Sequence, residues 1–297
     1  MTKLISTLVF GEILWDIIEN QKYIGGAPLN FAAHIVKCGG SSSVISGVGD
    51  DELGRLALEY VHKLDVDASA VFVSADKPTS TVDVFLQQGQ PDYTIHEDVA
   101  FDFIPKDVIS RIPNSVVDVF YFGTLAQRHD VSRSTLHAIL EQRKFKHVFY
   151  DINIRKEFYT EEIIRYGLKH CSIFKINDVE VNLISSLFYS KTLSFEEFVE
   201  RISTEFNVDT IVITAGDKGC YVWSNKTFTY VPGVVVKVAD TVGAGDAFSA
   251  AFMYQFGNGK SAVEAASFGN QVGAFVASSK GPIPEYSDAI KKILAEH

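Results

Sequence analysis

The sequence has 297 residues, of which 46% are hydrophobic, so it can bury a sizeable core in one large domain or two modest ones. Its net charge is −10 at pH 7 and it contains no basic run, which argues against a nucleic-acid partner. No apolar run approaches the ~20 residues that a membrane-spanning helix needs, so we expect no membrane partner.

Three cysteines, Cys38, Cys171 and Cys220, lie far apart and form no CxxC spacing. Disulfides and a zinc site are therefore not expected, and reduced thiols indicate a cytoplasmic protein. The apolar start of the chain meets Gly11 and Glu12, which is typical of a first strand rather than of a signal peptide.

Short β-branched segments alternate with helical patterns along most of the chain. The predicted buried strands are residues 4–10, 42–48, 116–122, 146–152, 171–176 and 209–215. The predicted helices include residues 52–63, 131–142, 160–169, 194–205, 245–256, 260–279 and 286–295. This order is typical of βαβ units, so we predict an α/β, doubly wound, mostly parallel sheet with helices on both faces. Ligands of such sheets bind at the carboxyl ends of the strands.

Two segments interrupt the alternation. Residues 13–24 have the pattern of a hairpin, and residues 79–96 contain two alternating runs around the turn signal QGQPD at 88–92. We expect these pieces, about 13–26 and 79–100, to form a small antiparallel β lid over the strand ends. No linker or repeat is evident, so residues 1–297 are expected to be a single domain that carries this lid.

Polar and small residues lie in or beside the predicted lid. Asp16 stands in an apolar strand, and Gly25 and Gly26 precede a helix start at Pro28 whose first turn carries Asn30. Glycines allow close approach of a ligand, and an amide suits a hydroxyl-rich one. The alternatives are that Asp16 faces water and that the glycines only end a hairpin before an ordinary helix.

Three further motifs follow predicted strands. Residues 151–155 offer an acid, an amide and Arg155, which is suited to a phosphate or sugar oxygen or to a surface ion pair. Asn177 and Glu180 fit a helix capping box, and the same groups are placed to lie near a phosphate-bound magnesium ion. Residues 214–220 are either a plain turn or a loop along a nucleotide.

The segment DTVGAGDAF, residues 240–248, combines an anion cradle with a carboxylate. Gly243, Ala244 and Gly245 open a helix whose free N–H groups favour an anion, yet Asp246 places a negative charge there. The segment lacks the features of a dinucleotide fingerprint and of a P-loop. It is either an anion site beside a functional carboxylate or a glycine-rich helix start whose acid the dipole keeps ionised. All these motifs abut a strand end or the lid, which predicts one common site.

Residues 25–54, starting GGAPLNFAAHIVKCGG, together with DTVGAGDAF resemble the two signatures of the PfkB, or ribokinase-like, carbohydrate kinases. The resemblance covers essentially the whole chain and implies ATP-dependent transfer of the γ-phosphoryl group to a sugar hydroxyl, with Mg²⁺. Within the family, the segments that look most like fructokinases are GGAPLNFA, STVDV, YTIHEDVAFDFI and DINIR. The match is imperfect, because Ile152 stands where a proline is expected and the following KEFY lacks the usual tryptophan.

The resemblance implies roles for individual residues. Asp246 matches the catalytic base, and Gly243, Ala244 and Gly245 match the anion hole. The implied sugar-binding residues are Asp16, Gly25, Gly26, Asn30, Asn153 and Arg155. The implied nucleotide-binding residues are Asn177, Thr214, Gly216, Lys218, Gly219, Gly245 and Asn270. Glu180 is implied to reach Mg²⁺ through water, and Asp240, Val242, Ser279 and Gly281 fall where some members hold a monovalent cation such as K⁺.

The open alternatives are another sugar kinase of the same family, of ribokinase or 2-keto-3-deoxygluconate kinase type, and a non-catalytic sugar or nucleotide sensor. The intact Asp246 argues against a sensor, because a pure binder has no need of a base. A purely structural protein is the remaining alternative. Exposed lid edges are commonly covered, which leads us to expect a homodimer formed through the lid.

Overall fold

The structure is a computed structural model that describes residues 5–18, 21–87, 90–112 and 116–295. Its strands are β1 Ser6–Phe10, β2 Leu14–Ile18, β3 Gln21–Gly25, β4 Ser41–Gly49, β5 Val71–Ser74, β6 Ser80–Gln87, β7 Gln90–Ile95, β8 Val119–Gly123, β9 His147–Asp151, β10 Ile173–Asn177, β11 Thr210–Thr214, β12 Gly219–Ser224 and β13 Thr227–Pro232. Its α-helices are α1 Ala27–Lys37, α2 Glu52–Lys63, α3 Asp130–Gln142, α4 Glu161–His170, α5 Asp178–Tyr189, α6 Phe195–Phe206, α7 Ala244–Gly257, α8 Ala262–Ala277 and α9 Asp288–Ala295.

The described strands form a large sheet with the order β13-β12-β11-β10-β9-β8-β1-β4-β5. In this spatial order, all neighbouring strands from β11 across to β5 pair in parallel. β12 and β13 add an antiparallel hairpin at the edge beside β11. The predicted doubly wound, mostly parallel sheet is therefore confirmed. Strand β5, which has four residues, was not predicted, nor were β12 and β13, whose start lies in residues 214–220, predicted to be a plain turn or a loop along a nucleotide.

Hydrophobic clusters cover both faces of this sheet. Leu8 and Phe10 of β1 belong to one cluster, whereas Val9 between them belongs to the other. Because successive strand residues point to opposite faces, a strand that is buried on both sides must be apolar throughout. This packing explains why the central strands are recognisable in the sequence as short, continuous apolar runs.

The predicted small sheet is present, with the order β3-β2-β6-β7. β2 pairs with β3 and β6 pairs with β7 in antiparallel fashion, as the two hairpin patterns predict. The hairpins join through a parallel pair of β2 and β6, which the sequence analysis did not foresee. The predicted turns of both hairpins lie partly outside the described residues, at 19–20 and 88–89, as does residue 4 of the first predicted strand.

Among the described residues, no helix combines the length and apolar character that crossing a bilayer requires. Cys38, Cys171 and Cys220 are buried as free thiols.

Candidate active site

Helix α7 begins at a residue that has to be glycine. Gly243 caps the helix with φ +76°, and a Cβ atom there would lie 2.5 Å from the Pro282 Cβ. Gly245 is exposed in the first turn of the helix, where the backbone N–H groups point outward and favour an anion. The Ala244 N–H donates to the Thr241 carbonyl at 3.3 Å, a long bond with which a bound anion would compete.

Asp246 lies in the same first turn and contacts the beginning of α1. The Asn30 amide donates from Nδ2 to Asp246 Oδ2 at 2.8 Å, across 216 residues of sequence. Asn30 Oδ1 is buried and has no hydrogen-bond partner within the described part of the chain. Buried polar atoms are normally satisfied, so this oxygen is available to a ligand hydroxyl. Two residues predicted separately from the sequence thus form one polar pair.

Burial raises the pKa of Asp246 to about 6. The Asn30 hydrogen bond opposes this shift, the charge of Asp151 adds to it, and the positive charges of Lys175 and Arg155 oppose it. From the sequence we expected the helix dipole to keep Asp246 ionised. The carboxylate is indeed mostly ionised at pH 7, but burial brings its pKa closer to neutral pH than that of an exposed aspartate, which makes Asp246 a stronger base.

The predicted sugar residues of the small sheet lie close together. A Cβ atom on Gly25 would lie 2.7 Å from Asp16 Oδ2, and one on Gly26, where φ is +110°, would collide with the Glu12 carbonyl oxygen. Burial raises the pKa of Asp16 to about 6, whereas the positive charge of Arg155 lowers it. Arg155 therefore acts electrostatically on both Asp16 and Asp246, which indicates one shared polar region.

Glu12 belongs to this region but was missed by the sequence analysis. Its Oε1 accepts the Ala27 N–H at 3.2 Å, and only 5% of the residue is exposed. Burial raises the pKa of Glu12 to about 7, and the nearby Asp246 charge contributes to the increase. The available signal was its position two residues after the end of the first predicted strand. Glu12 therefore fixes the start of α1, where the predicted sugar site begins.

Lys175 and Ser249 were also missed, and both contact Asp151. Lys175 Nζ donates to the two Asp151 carboxylate oxygens at 2.9 and 3.0 Å. Ser249 Oγ lies 2.9 Å from Asp151 Oδ2 and also 2.9 Å from the Gly245 carbonyl oxygen. The signal for Lys175 was a charged residue inside the apolar strand IFKIN. These contacts connect β9 and β10 to the first turn of α7.

The loop after β9 is tied to the start of α5. Glu180 Oε1 accepts the Ile154 N–H at 2.7 Å, and its Oε2 accepts the Asn177 N–H at 2.9 Å. Asn177 Oδ1 accepts the Glu180 N–H at 2.8 Å, which confirms the predicted capping box. Asn153 holds this loop in a left-handed conformation with φ +39°, and Arg155 is exposed beyond it.

No group of three or more His, Cys, Asp or Glu side chains in the described ranges is arranged to hold a metal ion. Both Glu180 oxygens already accept backbone N–H groups, which leaves only their remaining lone pairs for water. This donor set fits a Mg²⁺ ion that is held chiefly by phosphates and water, not by a cage of protein ligands.

The predicted nucleotide residues occupy adjoining strand ends. Asn177 and Thr214 are register partners at the ends of β10 and β11. Gly216 has φ +58° and Gly219, the first residue of β12, has φ +98°, so the turn from Thr214 into β12 favours glycine. The Lys218 carbonyl accepts the Tyr230 hydroxyl at 2.7 Å, which holds this loop against β13.

Asn270 of α8 faces the end of the same hairpin. Its Nδ2 donates to the Pro232 carbonyl at 3.0 Å and lies 3.3 Å from the Val231 carbonyl. The side chain therefore holds the β13 end against α8. Its implied role in binding the nucleotide remains a prediction.

The four residues predicted for a monovalent cation lie on two neighbouring segments. The Asp240 N–H donates to the Ala277 carbonyl at 3.1 Å, which joins the segment before α7 to the end of α8. Asp240 Oδ1 accepts the Val242 N–H at 3.0 Å, and the Ser279 hydroxyl donates to the Phe275 carbonyl at 2.9 Å. Gly281 follows with φ +74°. K⁺ binding here remains a prediction.

A family model described as pfkB family carbohydrate kinase matches residues 5–289. The match covers the large sheet, the small sheet and every residue predicted for the site.

Curated relatives match most of the chain, and a solved structure shares its fold. A probable fructokinase-5 of Arabidopsis thaliana is 28% identical, over 93% of this chain and 92% of its own. A putative sugar kinase of Pyrococcus horikoshii is 29% identical, over 82% of this chain and 80% of its own. The fructokinase of Vibrio cholerae in its fructose-, ADP- and calcium-bound form superposes with a TM-score of 0.85 at 24% identity, covering 98% and 99% of the two chains. At this level of identity, the similarity to the Vibrio cholerae structure shows a shared fold.

Proposed function

The chain belongs to the PfkB family of carbohydrate kinases, and from that premise we propose that it is an ATP-dependent fructokinase. The observation that carries the proposal is the 2.8 Å contact between Asn30 and Asp246. It puts an amide suited to sugar hydroxyls beside a carboxylate, at a helix start suited to a phosphoryl group. The names of the relatives support fructose as the acceptor.

Different residues of the site bind the sugar, accept the proton and stabilise the phosphoryl group. Asp16 and the buried Asn30 bind the sugar hydroxyls. Gly25 and Gly26 allow the sugar to approach the backbone closely, and Asn153 and Arg155 contact its other side. Asp246 orients the attacking hydroxyl and takes its proton as the bond to phosphorus forms. The amides of Gly243, Ala244 and Gly245 stabilise charge on the transferred phosphoryl oxygens.

ATP binds along the strand ends opposite the sugar. Its proposed contacts are Gly245 and Asn270 on helices α7 and α8, and Asn177, Thr214, Gly216, Lys218 and Gly219 at the ends of β10 and β11. Mg²⁺ would neutralise phosphate charge when bound, and Glu180 is the residue that would hold it, through water. Asp240, Val242, Ser279 and Gly281 are the proposed position for K⁺.

We further infer that residues 1–297 act as one ribokinase-like domain whose small sheet is a lid. Lys156, in the loop after β9, lies with its Nζ 4.5 Å from the ring centroid of Tyr93 on β7, so the small sheet contacts a strand-end loop. A lid at this place excludes water, which competes with the sugar as acceptor. Its edges, β3 and β7, are the surfaces proposed for a homodimer, and sedimentation as a strict monomer would contradict that part.

A panel of sugars with coupled detection of ADP tests the proposed function. We expect the highest kcat/KM with fructose and at least tenfold lower values with ribose and 2-keto-3-deoxygluconate. A clear preference for either of the latter would replace fructose but keep the sugar kinase. Sugar binding without ADP release for any member of the panel would favour the sensor and overturn the enzyme.

The kcat/KM for fructose is expected to fall on the acid side of pH 6. Asp246 acts in its ionised form and burial raises its pKa in the ligand-free protein to about 6, so roughly 90% is ionised at pH 7 and roughly 10% at pH 5. The measurement is kcat/KM for fructose from pH 5 to 8, because this ratio reports the pKa values of the free enzyme. Asp16 and Glu12, whose pKa values are raised to about 6 and about 7, also titrate in this range, so Asp16→Asn and Glu12→Gln are the controls, and both should still lose kcat/KM below pH 6. A kcat/KM that stays flat from pH 5 to 7 would contradict Asp246 as the base.

A further inference from the structure

A buried ion pair lies beside the first turn of α7. Lys175 and Asp151 are register partners on β10 and β9, and their side chains are only 9% and 1% exposed. Moving two charges out of water can cost more free energy than their attraction recovers, and well-packed apolar residues of similar size often stabilise a core as well or better. A contribution to stability is therefore weak evidence for the role of this pair. Its position relative to the first turn of α7 is more informative.

The Lys175 ammonium faces the anion site. Its Nζ lies 3.8 Å from the position that a Cβ atom of Gly245 would occupy. An ammonium group has three N–H donors, and the two oxygens of Asp151 engage two of them. The remaining donor lies beside an exposed helix start that already favours an anion.

Asp151 keeps this ammonium charged and in place. Burial alone lowers the pKa of Lys175, but the charge and hydrogen bonds of Asp151 outweigh it, so the pKa is raised overall. Asp151 Oδ2 also contacts the Ser249 hydroxyl, which in turn contacts the Gly245 carbonyl. The carboxylate thus positions both the lysine and the first turn of α7.

We propose that Lys175 is a further catalytic residue, which donates a hydrogen bond to the phosphoryl group transferred at the start of α7, with Asp151 as its positioning residue. This inference rests on the proposed kinase function. In the transfer, the bond from phosphorus to the ADP oxygen breaks and the bond to the sugar oxygen forms, while the sugar proton moves to Asp246. Lys175 keeps its protons and stabilises the charge on the phosphoryl oxygens, as a compact point charge does.

The test compares Lys175→Met with the double variant Asp151→Asn/Lys175→Met. The single variant removes the ammonium but leaves a buried, unpaired carboxylate, whereas the double variant removes both charges and keeps similar shapes. We expect both to lower kcat by about 10²- to 10³-fold, with the sugar KM changed by less than about threefold. Lys169→Met, at an exposed position in the last turn of α4, is the matched control and should leave kcat unchanged.

A purely structural pair predicts a different result. The double variant would then return to within about threefold of the wild-type kcat, and that outcome overturns the proposal. Near-normal turnover of Lys175→Met itself would also overturn it.

A binding measurement separates this proposal from the function on which it rests. Calorimetry compares the affinity for ADP with and without aluminium fluoride, a mimic of the phosphoryl group, in the presence of Mg²⁺ and fructose. We expect both variants to bind ADP normally and to lose most of the gain from aluminium fluoride. Undiminished gain in both variants overturns the role of Lys175, whereas a wild-type protein that shows neither this gain nor turnover of any sugar overturns the proposed kinase.

Discussion

Replacing Asp246 by Asn is expected to lower kcat by about 10³-fold and to leave the affinity for the sugar within about threefold of the wild type. The amide has the shape of the carboxylate and its oxygen can still accept the Asn30 hydrogen bond, so the sugar site should stay intact. It cannot take the proton of the attacking hydroxyl, however, and general base catalysis of this kind contributes about 10²- to 10⁴-fold. Steady-state kinetics and calorimetric titration of the sugar measure the two quantities separately.

Asp209→Asn is the matched control for this experiment. Asp209 is exposed and directly precedes β11, at the amino end of that strand and so at the edge of the sheet opposite the site. It should retain wild-type kinetics. If Asp246→Asn kept more than about a tenth of the wild-type kcat, the carboxylate would not be the base. Loss of sugar binding would contradict the expectation that the sugar site stays intact.

Gly243→Ala is expected to lower kcat by about 10²-fold and to destabilise the fold. The new Cβ atom would lie 2.5 Å from the Pro282 Cβ and 2.7 Å from its Cα, so backbone has to move. A displacement of about 1 Å at a site of this kind costs about 10²-fold in rate. kcat and the thermal melting temperature are the measurements.

Pro282 cannot easily give way, because His34 holds its carbonyl oxygen. A carbonyl oxygen only accepts, so His34 Nε2 donates to it at 2.9 Å and Nδ1 accepts the Tyr286 hydroxyl at 2.7 Å. Burial lowers the pKa of His34 to about 4, which keeps this neutral form at physiological pH. His34 lies one helical turn after Asn30, so α1 supports both the sugar site and the wall behind Gly243.

Gly259→Ala separates backbone strain from collision. Gly259 follows α7 with φ +95°, and a Cβ atom there would have nothing within 4 Å. It should therefore cost only the left-handed backbone penalty of about 1–2 kcal/mol, with kcat unchanged. Equal losses of kcat in the two variants would mean that Gly243 matters only for its backbone conformation and not for the position of α7.

Local patterns in the sequence were enough for the fold class and for most element bounds. Helix α2 coincides with the predicted residues 52–63, and its N-cap, Asp51, accepts the Gly54 N–H at 2.7 Å. Such caps and apolar periods act over a few residues, so they can be read without knowing the rest of the chain. The parallel pairing of β2 with β6 could not be read in this way, because a pair so distant in sequence leaves no local signal.

The sequence by itself also determined which residue types were available for chemistry: a carboxylate in a glycine-rich helix start, an amide after two glycines and an arginine after a strand. Only the tertiary structure decided which of them meet and with what charge. The Asn30–Asp246 contact spans 216 residues, and the raised pKa of Asp246 comes first from burial. The Lys175–Asp151 pair likewise depends on two strands lying in register. Contact, burial and electrostatic neighbours are properties of packed elements, so no single segment of the chain contains them.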